Sequence, residues 1–149
     1  MTKIRVTKQF NFEMAHALLG YDGPCKNIHG HSYELFVTVI GEPIEERTSP
    51  KNGMVIDFKD LKRIVREQII NDFDHALVVS HNTPQDHINE LKRNYEKIVV
   101  TPYQPTTENY LTDFVRKIQE KLPRGIKLHS MKIRETVTSY AEWFAEDND

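Results

Sequence analysis

Two long runs of period two dominate this chain. Between positions 4 and 18, Ile4, Val6, Phe10, Phe12, Met14, His16 and Leu18 fall on one side, and Arg5, Thr7, Gln9, Asn11 and Glu13 on the other, with Lys8 the one interruption. Between 29 and 41 the pattern returns as His29, His31, Tyr33, Leu35, Val37 and Val39, ending at Gly41. Alternation sustained this long describes half-buried strands, because successive side chains leave a strand on opposite faces. The stretch "GYDGP" at 20 to 24 is a loop by its glycine and proline content. The chain is therefore built on a long antiparallel pair with one apolar face to cover.

The cover is legible downstream. Asp57 is an N-cap for a helix in which Phe58, Leu61, Ile64, Val65 and Ile69 keep helical spacing. A polar stretch from 81 to 97 holds a short helix at 86 to 95, and "KIVV" after it reads as a short strand. "TPYQPTTEN" introduces the second main helix, capped by Thr106 or Thr107, with Leu111, Phe114, Val115, Ile118 and Leu122 on its buried stripe. Pro123 and Gly125 end it. "IKLHSMKIRET" and "SYAEWFA" supply two more strands. Two strands, two helices and two strands predict an α+β fold, a four-stranded antiparallel sheet with two helices on one face.

At 149 residues this is one domain, large enough to bury a core without staples. The net charge of −2, from 20 basic and 22 acidic residues, gives no electrostatic footprint for nucleic acid or an anionic membrane. No apolar run approaches about 18 residues, and "MTKIRVTKQF" is not a signal peptide. The single cysteine forms no internal disulfide. These features predict a cytoplasmic protein with Cys25 free or metal-bound.

The chemistry concentrates in "CKNIHGHSY", residues 25 to 33. His29 and His31 are two apart on one strand, so their imidazoles point the same way and can share one ion. His16 lies on the apolar face of the preceding strand, where antiparallel pairing brings it opposite them. Three histidines with an open fourth position make a catalytic zinc site. Adding Cys25 as a fourth ligand makes a closed structural one. The three residues between Cys25 and His29 permit either. Further on, Glu135 is in phase with Met131 and Ile133: on an inward face a buried carboxylate there calls for a ligand, and on an edge strand it faces water. Asp74 and His75, taken alone, read as a solvated polar dipeptide, whose adjacent side chains converge only at a turn or helix end.

Six motifs in order, "FNFEMAHAL", "CKNIHGHSY", "GMVIDFKDLK", "DFDHALV", "PTTEN" and "RET", cover nearly the whole chain. Together they resemble the 6-pyruvoyl tetrahydropterin synthase and 6-carboxytetrahydropterin synthase family, and the short interval from Cys25 to His29 resembles its bacterial 6-carboxy branch. The resemblance implies a tunnelling fold, whose subunits join their sheets into a β-barrel as a homohexamer of two stacked trimers. It implies zinc at His16, His29 and His31, Cys25 as the catalytic base, and Asp74 with His75 as a second proton-transfer pair. It also implies that Glu135 anchors a pterin ring beside Thr106, Thr107 and Glu108. The implied reaction is that of a lyase. It converts 7,8-dihydroneopterin triphosphate to 6-carboxy-5,6,7,8-tetrahydropterin, releases acetaldehyde and triphosphate, and feeds queuosine synthesis. The alternatives are the 6-pyruvoyl product on the same scaffold, or a non-catalytic zinc- or pterin-binding protein. Two features depart from the family pattern: "DHALVV" where "DHxxLN" is usual, and a longer segment from 79 to 104.

Overall fold

A computed structural model describes all 149 residues, Met1–Asp149. The two period-two runs form strands β1 (Ile4–His16) and β2 (His29–Gly41), paired antiparallel from Ile4↔Gly41 to His16↔His29 without a slip. Phe10, Phe12, Met14, Tyr33, Leu35, Val37 and Val39 are all buried on one face. A one-residue slip would turn that entire set to water, which is why the register is firm.

Helix α1 (Phe58–Val65) starts at Asp57, whose side chain accepts from Lys59 N–H at 2.9 Å. It runs through a π turn (Arg66–Ile70) into the short α2 (Asn71–Phe73). Strand β3 (Ala76–Ser80) follows, then α3 (Gln85–Asn94), β4 (Ile98–Thr101), α4 (Thr107–Gln119), β5 (Lys127–Thr136) and β6 (Ser139–Phe144). Thr106 caps α4, its hydroxyl oxygen accepting from Asn109 N–H at 3.2 Å. Tyr110, Phe114 and Phe73 pack ring against ring between this helix and α2, inside one hydrophobic cluster.

The sheet corrects the expectation of four antiparallel strands. It has six, in the order β4-β3-β1-β2-β5-β6, and it is mixed. β3 runs parallel to β1, Met14↔Ala76 through His16↔Val78, and β4 runs parallel to β3. Strand β3 escapes a period-two search because it is buried on both faces: Val78, Val79 and Ser80 are all at most 3% exposed. The helices are not confined to one face either. Ala17 and Val79 point away from His16 and Val78, and they line a hollow with His87, Glu90 and Leu91 of α3. That helix therefore covers the far face at the β3 end, as the crossover between two parallel strands. The long 79–104 segment holds the end of β3, then α3 and β4. No helix is long and apolar enough to cross a membrane.

Candidate metal centre

Where β1 ends and β2 begins, the core face of the sheet changes from apolar to imidazole. His16 closes β1, is 2% exposed, and stands in register with His29, with His31 one pleat further on the same face. The hydrogen bonds around these rings fix which nitrogens carry protons. His16 Nδ1 lies 2.7 Å from the Pro105 carbonyl, and His29 Nδ1 lies 2.8 Å from the Asn27 carbonyl. A carbonyl only accepts, so each Nδ1 is the donor and each Nε2 is left with a bare lone pair. Those two Nε2 atoms face one another at 3.0 Å. His31 Nε2 is buried and has no hydrogen-bond partner. Two lone pairs facing one another with no proton between them repel, unless a cation sits among the rings.

The fourth member is Glu135. Between Arg134↔Tyr140 and Thr136↔Ser139 the β5–β6 pairing shifts register, which leaves Glu135 in a bulge. A bulge re-aims a side chain, and this one turns the carboxylate toward the histidines. Its Oε1 lies 3.0 Å from His31 Nε2 and 3.5 Å from His16 Nε2, and its Oε2 accepts from the Thr107 hydroxyl at 3.2 Å. The 3.0 Å approach to His31 is not aligned as a hydrogen bond, which is why that nitrogen is still unpartnered. One ligand atom from each of His16, His29, His31 and Glu135 lies within 4.8 Å of every other, so this group can hold a metal ion. The donor set of three imidazoles and a carboxylate suits zinc.

The electrostatics favour the same outcome. Burial holds the imidazoles of His16 and His31 below the usual histidine pKa, and the neighbouring His29 lowers both further. The Glu135 carboxylate opposes this in each case, and for His16 the Pro105 carbonyl does so more strongly. Burial also pushes the phenols of Tyr33 and Tyr110 far up, so both stay protonated. The Tyr110 hydroxyl stands 3.2 Å from His16 Nδ1. Neutral imidazoles are what a metal requires, since a protonated ring has no lone pair to give.

The other candidate residues are spread more widely. Cys25 is half-buried in a single 3-10 turn, Pro24–Lys26, within the loop joining the two histidine-bearing strands. Its thiol is not among the converging ligand atoms, and Glu135 is. Thr107 touches Glu135, Thr106 caps α4, and Glu108 is exposed in the first turn of that helix. Asp74 and His75 do converge. The Asp74 carboxylate accepts from Glu13 N–H at 3.0 Å and pairs with His75 Nδ1 at 2.9 Å. The turn this needs is supplied by His75 itself, the one non-glycine residue with positive φ, at 65°. The pair belongs to the other face of the sheet, however. His75 lines a hollow of about 340 Å³ with Glu13, Ala15 and Ser32, whose side chains alternate with those of the cluster, and with His31. Within one protomer, the structure does not bring Asp74 and His75 to the metal centre. The largest cavity, about 550 Å³, lies at the far end of β2 around Gly41. Charged residues of both signs line it, and two of its acids, Asp57 and Asp60, are matched by Lys51.

Comparison with known proteins adds to this geometry. Residues 5–146 match the 6-pyruvoyl tetrahydropterin synthase family. The chain belongs to that family. A relative from Haemophilus influenzae, named 6-carboxy-5,6,7,8-tetrahydropterin synthase, is 33% identical over 141 residues, spanning 93% of this chain and 97% of its own. One of the same name from Synechocystis is 30% identical over 140 residues, spanning 94% and 92%. Among solved structures, an uncharacterized protein of Wolinella succinogenes superposes with a TM-score of 0.78 at 20% identity, covering 97% of this chain and 99% of its own. The 6-pyruvoyl tetrahydropterin synthase of Caenorhabditis elegans superposes at 0.67 and 23% identity, covering 97% of both chains. At such identities these structures establish the shared fold.

Sequence reasoning missed the groups that hold the cluster in place. The Pro105 carbonyl is backbone and leaves no mark in composition. Tyr110 was detectable: it precedes Phe114 by one helical turn and so extends the buried stripe of α4.

Proposed function

We propose that this protein is a zinc-dependent 6-carboxy-5,6,7,8-tetrahydropterin synthase acting on 7,8-dihydroneopterin triphosphate, with release of acetaldehyde and triphosphate, in 7-deazaguanine (queuosine) synthesis. The observation that carries the metal site is the pair of unprotonated Nε2 atoms 3.0 Å apart beside the unpartnered Nε2 of His31. The 6-carboxy product is supported by the names of relatives that match over more than nine-tenths of this chain.

His16, His29 and His31 would hold the ion. A zinc ion there lowers the cost of negative charge developing on a side-chain oxygen of the substrate. The protein's own groups do the rest. Cys25, carried by the loop between His16 and His29, removes a carbon-bound proton. The thiolate is the reactive form of such a group, and a nearby cation favours it. His75, oriented by Asp74, returns a proton elsewhere. Glu135 offers carboxylate oxygens to the donor edge of the pterin ring, its ring N–H and exocyclic amine. Thr107 keeps that carboxylate turned inward.

Glu135→Gln tests the last role. The amide keeps the shape but sets a donor against the pterin's own donors. We expect zinc content to persist and KM to rise on the order of 10- to 100-fold, matching about 1.5–3 kcal/mol for a charged hydrogen bond. Loss of zinc from this variant would make Glu135 a ligand instead.

Because Asp74 and His75 face away from their own protomer's metal centre, the proposed mechanism requires that a second copy present this pair. The edges are suited to that: β4 and β6 each carry an unpaired side, and free edges invite strand addition. We propose a homohexamer, a dimer of trimers, closed through these edges into a β-barrel. Light scattering at micromolar concentration should report a multiple of three subunits, and a monomer would overturn this assembly. The reaction itself is tested by mass spectrometry of the products from dihydroneopterin triphosphate. Acetaldehyde with the 6-carboxy product is expected. A 6-pyruvoyl product would reassign the enzyme within the family, and no turnover by the zinc-loaded protein would leave a binding protein.

A further inference from the structure

The loop that carries Cys25 is weakly held by packing. Leu19, Tyr21 and Ile28 are 42%, 46% and 59% exposed, and Leu19 and Ile28 border an unfilled hollow of about 360 Å³ against α3. Most of its own hydrogen bonds are internal, such as Lys26 N–H to Gly23 and Asn27 N–H to Pro24. Two side chains from outside the loop grip it: His29 Nδ1 donates to the Asn27 carbonyl, and Gln104 holds Leu19. The Gln104 carboxamide accepts from Leu19 N–H at 3.2 Å and donates to the Leu19 carbonyl at 2.8 Å, as a neighbouring strand would. No other side chain outside the loop hydrogen-bonds to residues 17–26. Next to Leu19, Leu18 N–H donates to the Cys25 carbonyl at 3.0 Å. The position of Leu19 is thereby passed to the cysteine through one hydrogen bond.

Gln104 is itself fixed to the metal centre. Its carbonyl accepts from Asn109 Nδ2 at 2.9 Å and from Thr106 N–H at 2.7 Å. The residue after it, Pro105, receives His16 Nδ1, and Thr107 holds Glu135. Four consecutive residues thus touch the cysteine loop, a metal-binding histidine, the cap of α4 and the inward carboxylate.

We propose that Gln104 is a positioning residue that sets Cys25 in register with the histidine cluster. This rests on the reading of Cys25 as the base. The two amide bonds are exposed, so losing them costs little stability, while misplacing a reacting group by about 1 Å can cost on the order of 100-fold in rate.

The experiment uses Gln104→Ala, Cys25→Ala and the double variant of the zinc-loaded protein, with Gln104→Glu alongside. The glutamate keeps the acceptor for Leu19 N–H and loses the donor, and it serves if the alanine variant does not fold. Cys25 is the only cysteine, so alkylation by iodoacetamide reads its surroundings directly. In Gln104→Ala we expect unchanged zinc content, KM within about twofold, kcat lowered about 10- to 100-fold, and alkylation several-fold faster, with Gln104→Glu in between. On a Cys25→Ala background, Gln104→Ala should cost nothing further, because it acts through the thiol. Unchanged alkylation in both Gln104 variants, or losses that multiply in the double variant, would overturn the proposal. Full activity of Cys25→Ala would sink the catalytic reading of the thiol, and the alkylation result would still decide whether Gln104 positions the loop.

Discussion

Replacing Cys25 by alanine should leave zinc at wild-type content and lower turnover by about 10²–10⁴-fold, the usual effect of removing a positioned proton-transfer group. That range corresponds to about 2.7–5.4 kcal/mol of barrier. The expectation of full zinc content follows from the cluster, in which Glu135 and not the thiol stands with the three histidines. Fold stability should also hold, since Cys25 is only half-buried in a single 3-10 turn. Metal content and turnover measured on one preparation decide the matter. Zinc lost on mutation and activity restored by excess metal would make the thiol a ligand.

The second large effect belongs to the histidines. His29→Ala or His31→Ala should strip the metal and abolish turnover together, because a site left with two imidazoles and a carboxylate binds zinc far more weakly. His31→Ala is the cleaner variant. The ring is 18% exposed and its Nε2 has no hydrogen bond to break, so the loss reads metal binding and not a collapsed network. His16→Ala would be ambiguous, since that buried ring also ties β1 to Pro105. Full metal content in His29→Ala or His31→Ala, measured by atomic absorption, would remove that residue from the site.

The hairpin was legible in the sequence because half-burial writes itself as alternation, and His16, His29 and His31 fell in phase with it. Capping likewise gave the starts of α1 and α4, while the helical spacing ran on past their ends at Val65 and Gln119. Strand β3 was not legible, because a strand buried on both faces has no polar face to alternate with. The placement of Asp74 and His75 was hidden for another reason. A sequence motif shows that two side chains are neighbours in the chain, whereas the face they occupy depends on parallel pairing between residues 14 and 76. Glu135 was in phase with the inward residues of its strand, but the bulge that turns it among the histidines was not foreseeable from period alone. Gln104 and Pro105 act through an amide and a backbone carbonyl, groups common enough to carry no signal by themselves.

The positive φ of His75 has a consequence for anyone re-engineering this protein for heat tolerance. A residue with a Cβ held in the left-handed region costs about 1–2 kcal/mol, and glycine would relieve most of it. Against a typical margin of roughly 5–15 kcal/mol that gain is tempting. Position 75 is thus where a stability score and the proposed chemistry give opposite instructions, and a redesign guided by melting temperature alone would delete the proposed proton donor first.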